Sequence, residues 1–173
     1  RVRGYIIDLR SMRGGLLFSG ETFLGFFLPR STPFLYSETD TRTPATTYNT
    51  NPYIEQIRGP VVVLTNRFTS SLGEVIALVL QEHGRGIIVG ERTVGYGTIV
   101  NTEPIDASTT ISIPTSIYYG IRGRRIEGVG VEPDILVEET SYAARYAPNQ
   151  EDAILTAGIS VLEQSIKTER TEK

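Results

Sequence analysis

The apolar run Val61-Val62-Val63-Leu64 passes through a hydroxyl-rich turn, Thr65-Asn66-Arg67-Phe68-Thr69-Ser70-Ser71, directly into Leu72-Gly73-Glu74-Val75-Ile76-Ala77-Leu78-Val79-Leu80. A short, continuous, β-branched run reads as a strand buried on both faces. The stretch after the turn continues to His83 and meets Gly84, which reads as a helix with a glycine stop. The junction leaves Ser70 and Ser71 at a helix N-terminus, beside unpaired backbone N–H groups and the positive end of the helix dipole. On this window two readings stay open. Either serine caps the helix, with Glu74 as its reciprocal capping-box partner, or one of them is a nucleophile whose developing charge the helix end favours.

The rest of the chain extends the same pattern. Tyr5-Ile6-Ile7-Asp8-Leu9 and Ile87-Ile88-Val89 are further short apolar runs, expected as buried parallel-type strands. Leu16 to Leu28 has apolar residues near helical spacing and stops at Pro29, although Gly20 and Gly25 weaken the pattern. Residues 30–52 are rich in threonine, proline and asparagine and lack a sustained period, so they are expected as a long exposed loop with a short strand at Phe34-Leu35-Tyr36. Thr98 to Val100, Thr109 to Pro114 and Ile117 to Ile121 alternate like strands, and Ile135-Leu136-Val137 makes a last short one. After a tyrosine-rich linker with Pro148, residues 151–168 are expected to form a C-terminal helix with Ile154, Ala157, Val161 and Leu162 on one face. This order gives an α/β fold with buried parallel-type strands, packed helices and additional antiparallel strands, in a single domain spanning 1–173.

Composition narrows the chemistry. A hydrophobic content of 39% and a net charge of -3 suit an ordinary packed domain, and no basic cluster with interleaved aromatics points to nucleic acid. With no cysteine there is no disulfide framework, thiol nucleophile or cysteine metal site. A single histidine and scattered carboxylates do not build a zinc set, so neither metal nor cofactor is expected. No apolar run approaches the ~20 residues of a transmembrane helix. Arg1-Val2-Arg3 lacks the regions of a signal peptide and leads abruptly into a strand, so the chain is expected to be N-terminally truncated.

Four segments in order carry a family resemblance: Gly4-Tyr5-Ile6-Ile7-Asp8-Leu9-Arg10-Ser11-Met12-Arg13-Gly14-Gly15, the turn from Asn66 to Glu74, Gly86-Ile87-Ile88-Val89-Gly90-Glu91-Arg92-Thr93-Val94-Gly95-Tyr96-Gly97-Thr98, and Ile126-Glu127-Gly128-Val129-Gly130-Val131-Glu132-Pro133-Asp134-Ile135. Together they resemble the core of the carboxyl-terminal processing peptidases and their tricorn-like relatives, serine peptidase family S41. The resemblance implies a ClpP/crotonase-like core. It also implies that Ser71, three residues before Glu74, is the nucleophile, with the backbone N–H groups of Gly14 and Leu72 as its oxyanion hole.

The resemblance breaks at the base. Where the processing peptidases carry a lysine and then a glutamine, this chain has Tyr96 and Val100, and its only lysines are Lys167 and Lys173. A phenol with an ordinary pKa near ~10 is a weak base at neutral pH. The tricorn-like branch instead uses a histidine from an upstream segment, oriented by a glutamate at the place of Glu127, which makes Glu127 the candidate orienter. His83 lies at the far end of the helix that Ser71 opens, roughly 17 Å away at 1.5 Å per residue, and is expected as a helix C-terminal residue. Tyr96 and Glu74 are expected to support the site, Tyr96 by a hydrogen bond to Ser71 or by packing and Glu74 as a cap.

The implied substrate is an extended polypeptide, with an upstream segment or PDZ domain outside this chain, and the implied location is extracytoplasmic. The oligomeric state is not readable. Two alternatives remain: a peptidase-fold binding or scaffold protein without catalysis, motivated by Tyr96 and Val100, and acyl-CoA chemistry on a crotonase-like fold.

Overall fold

The computed structural model describes residues 2–39, 45–139 and 151–171. Its parallel sheet has the order β1 (Tyr5–Asp8), β4 (Val61–Thr65), β5 (Ile87–Gly90), β8 (Ile135–Leu136). A second, antiparallel sheet runs β3 (Thr46–Asn49), β2 (Pro33–Glu38), β7 (Thr110–Gly120), β6 (Thr98–Pro104). The expected α/β class with antiparallel additions is what is observed.

Side-chain alternation along β4 explains why the run is apolar at every position. Val61 and Val63 join the core cluster built on helix α2 (Leu72–Glu82). Val62 and Leu64 join a second cluster with Ile154, Leu155, Ala157, Val161 and Leu162 of helix α3 (Ala153–Thr171). Successive side chains of a strand point to opposite faces, so a strand covered on both sides cannot afford a polar register. The apolar face expected on the C-terminal helix is the one that packs. Gly158 permits the approach, since a Cβ there would stand 2.6 Å from Leu64 Cδ2. The N-terminus of α3 is held by Asp152, whose Oδ1 accepts the N–H of Leu155 at 3.0 Å.

Helix α2 is buried on nearly its whole circumference, which a surface helix never is. It contacts β5 of the parallel sheet on one side and β2 and β7 of the antiparallel sheet on another. Helix α1 (Leu17–Gly25) packs beside it, and Phe23, Leu24 and Phe27 belong to the same core.

One expectation is corrected here. The described residues of 30–52 are not one long exposed loop: the short strand expected at Phe34-Leu35-Tyr36 lies within a longer β2, β3 follows, and Phe34 and Leu35 are fully buried. β2 pairs antiparallel with the distant β7, Leu35 opposite Gly120 and Glu38 opposite Ile117. A short strand flanked by threonine, serine and proline shows no period, and its partner lies far along the chain. The strand fragments expected between Thr109 and Ile121 are one continuous β7. Pro114 fits inside it because β2 covers β7 only from Ile117 onward, leaving an edge where no N–H is required. The tyrosine-rich linker falls in 140–150 and lies outside the described residues.

Candidate active site

β1 and β4 lie side by side and parallel, so the turns at their C-terminal ends emerge together. Side chains from the second turn stitch the two into one body. Asn66 is fully buried and its Oδ1 accepts the N–H of Ser11 at 3.0 Å and of Phe68 at 3.2 Å. The Thr69 hydroxyl donates to Leu9 O at 3.0 Å and accepts the N–H of Asn66 at 3.1 Å. Ser70 donates its N–H to Met12 O at 2.8 Å, within a parallel bridge between Arg13 and Ser70. Gly14 follows immediately at φ +138°, and Gly15 at φ +146° lets the Leu72 side chain come to where a Cβ would collide at 2.5 Å.

Ser71 is the N-cap of α2 and has φ +56° and ψ −120°. A side chain at such angles is strained, and the strain persists only where neighbours over-determine it. A sharp strand-to-helix corner of this kind lifts a serine hydroxyl clear of the sheet in α/β-hydrolases. The neighbour that fixes it is Glu74. Its fully buried carboxylate accepts the N–H of Ser71 at 2.9 Å and of Tyr96 at 2.7 Å on Oε2. On Oε1 it accepts the Thr93 hydroxyl at 2.5 Å and the N–H of Gly95 at 2.6 Å. A carboxylate offers about four lone-pair sites, and here each has a donor. Glu74 is therefore the expected cap, and it also ties the Ser71 corner to the glycine loop after β5.

The closing segment packs on that loop. Gly128 donates its N–H to Gly95 O at 2.9 Å, and Glu127 Oε2 accepts the N–H of Gly97 at 2.8 Å. A Cβ on Gly97 would lie 2.6 Å from the Glu127 nitrogen, so only glycine allows this approach. Glu127 thus reaches the site through the residue after Tyr96.

A cleft of about 350 Å³ opens at the corner, lined by Arg13, Phe68, Ser70, Ser71, Val94 and Tyr96. Of the residues singled out from sequence, Ser71 and Tyr96 line it, Gly14 and Leu72 adjoin it in the two turns, and Glu74 lies behind it. Among the described residues Tyr96 makes no hydrogen bond to Ser71; its ring is half exposed as a wall of the cleft. Among the described residues no lysine or histidine lines the cleft. His83 is the C-cap at the other end of α2, its Nε2 buried without a partner among the described residues. It borders a larger cleft of about 1100 Å³ with Arg85 and Arg58, remote from the Ser71 corner. No cluster of potential metal ligands occurs among the described residues, and none of their helices is long and apolar enough to cross a membrane.

Sequence reading missed the stitching residues Asn66, Thr69 and Thr93 and the cleft-lining Arg13, Phe68 and Val94. Their only signal was membership in the motif segments.

The family model for peptidase family S41 matches residues 1–137. This chain belongs to that family. A carboxyl-terminal-processing protease from Synechocystis sp. is 31% identical over 169 residues, covering 94% of this chain and 39% of that protein. A carboxy-terminal-processing protease from Bartonella bacilliformis is 28% identical over 139 residues, covering 80% of this S41 chain and 32% of that protein. Among solved structures, the photosystem II D1 C-terminal processing protease superposes with a TM-score of 0.70 at 29% identity, covering 79% of this chain and 35% of that one. The chain spans about a third of the length of these curated relatives.

Proposed function

We propose that this S41 domain carries the nucleophilic serine of an endopeptidase that cleaves extended polypeptides. The observation that carries the proposal is the conformation of Ser71: a non-glycine residue at positive φ, on a helix N-terminus, opening into a cleft and held by a buried carboxylate. The Ser71 hydroxyl oxygen bonds to the scissile carbonyl carbon while its proton passes to a base. The same proton then goes to the leaving amine as the carbon–nitrogen bond breaks, and water releases the acyl group by the reverse sequence. The N–H of Leu72, the first of the helix and so without an intrahelical acceptor, and that of Gly14 serve as donors to the oxyanion.

The base comes from outside the described residues. A histidine upstream of Tyr5 in the full protein, oriented by Glu127, meets the requirement, and Tyr96 with Val100 replaces the serine–lysine arrangement. An extracytoplasmic location accompanies this reading. The test is hydrolysis of unstructured protein substrates by the full-length protein. Cleavage that disappears in Ser71→Ala supports the proposal; cleavage that survives it refutes the role of Ser71.

A second reading, a peptidase-fold scaffold, is favoured by one observation: the cleft is walled by Tyr96, which stands where the processing peptidases carry their lysine, together with the apolar Val94 and Phe68. Peptide binding without turnover by the full-length protein decides for it.

A further inference from the structure

Resting on the reading of this cleft as a peptide site, we infer that Arg13 makes it selective for a substrate carrying a carboxylate beside an apolar side chain. The cleft has three large apolar walls, Phe68, Val94 and Tyr96, all partly exposed and gathered around Ser71. Exposed apolar side chains scattered singly mean little, but three around one concavity mark a surface meant to be covered. Arg13 is the one charged residue among those described as lining it.

The side chain of Arg13 is exposed and enters no ion pair or hydrogen bond among the described residues, while its backbone is fixed by the bridge to Ser70. The carboxylates that hold the corner and its loops have other donors. Glu74 is taken by its four donors, Glu127 accepts from Gly97, and Glu91 accepts the Arg67 N–H at 3.1 Å. Arg67, the other nearby cation, lies over the Phe68 ring at 5.4 Å and 3.8 Å from Glu91. The protein as a whole is acidic, so this local positive charge does not follow from general basicity. A guanidinium beside apolar walls meets a carboxylate in a planar, two-pronged geometry and with less screening than in open water. Either a C-terminal α-carboxylate or a glutamate side chain supplies that chemistry.

The test uses the full-length protein and internally quenched peptides of one leucine-rich sequence. Each carries Glu, Gln or Lys at a single position and is made both as free acid and as amide. The expected result is a preference in kcat/KM of about tenfold, equivalent to about 1.4 kcal/mol, for one carboxylate position. That preference disappears in Arg13→Gln and turns toward lysine-bearing peptides in Arg13→Glu. Free acid over amide identifies the chain terminus as the source; Glu over Gln identifies the side chain. Anisotropy binding of the same peptides to full-length Ser71→Ala reads the preference without turnover. Arg13-dependent binding preference without hydrolysis by the wild type removes the peptidase reading and keeps this inference. Hydrolysis or binding with no carboxylate preference, or with one unchanged in Arg13→Gln, overturns it.

Discussion

The Glu74 carboxylate and the Ser71 backbone are joined by a 2.9 Å hydrogen bond inside a protein core that leaves Glu74 no contact with solvent. The same two oxygens hold Thr93, Gly95 and Tyr96. One side chain therefore sets both the strained corner and the loop that faces it.

Replacing that side chain tests the dependence. Glu74→Ala strands several buried donors, at about 1–3 kcal/mol for each one left unmet. Glu74→Gln keeps the shape but turns an amide N–H₂ toward N–H groups. Both variants are expected to lower the unfolding free energy measured in urea, Ala by about 3 kcal/mol or more and Gln by less. Both are also expected to slow modification of Ser71 by at least about tenfold. Unchanged Ser71 reactivity in Glu74→Gln would show that the corner holds itself.

Much of this corner was legible beforehand, for a physical reason. β4, the hydroxyl turn and α2 are contiguous, and contiguous elements write their periods into the sequence. A serine at a helix start and Glu74 as its capping partner follow from spacing, whereas Ser71 rather than Ser70 follows from the family resemblance. The reach of Glu74 to Thr93, Gly95 and Tyr96 does not, because nothing local records which distant loop meets a buried carboxylate. The same limit hid the full length and the burial of β2, expected only as a short strand at Phe34-Leu35-Tyr36 in an exposed loop, and Arg13, whose neighbours Phe68, Val94 and Tyr96 come from two other turns. Asn66 and Thr69 read as ordinary turn residues until their partners Ser11 and Leu9 are placed beside them.

The burial of β2 makes a prediction about stability. Leu35→Ala removes a fully buried side chain that packs with the α2 cluster, and is expected to cost about 2–5 kcal/mol in chemical denaturation. A loss below about 1 kcal/mol, as at an exposed surface position, would contradict the place given to this strand.

At the far end of α2, burial is the largest influence on His83 and lowers its pKa from the ordinary 6.5, with nearby Arg122 acting in the same direction. Glu82 and a backbone hydrogen bond to Pro33 oppose the shift without reversing it. The folded state therefore binds a proton less readily than the unfolded chain. Stability from this group is fully present above the unfolded value and is lost as pH falls from there through the folded value. Thermal midpoints measured across that acidic window are expected to fall less steeply in His83→Asn than in the wild type. Identical slopes would remove His83 from the acid response.

The contact between Gly97 and Glu127 gives a separate test of the loop. A methyl at Gly97 would stand 2.6 Å from the Glu127 nitrogen and from Ile126 Cβ. Gly97→Ala is expected to displace the closing segment and destabilise the fold by about 1–3 kcal/mol. Glu127→Gln, which keeps an acceptor for the Gly97 N–H, is expected to leave the thermal midpoint nearly unchanged while reducing peptide hydrolysis by the full-length protein. Equal hydrolysis in Glu127→Gln would assign Glu127 to loop packing only.

The most direct test of the account is to treat the full-length protein with a fluorophosphonate and map the adduct by peptide mass spectrometry. A single phosphonylated residue, Ser71, is expected, with no adduct in Ser71→Ala. An unlabelled protein, or a label on another residue that persists in Ser71→Ala, would contradict it.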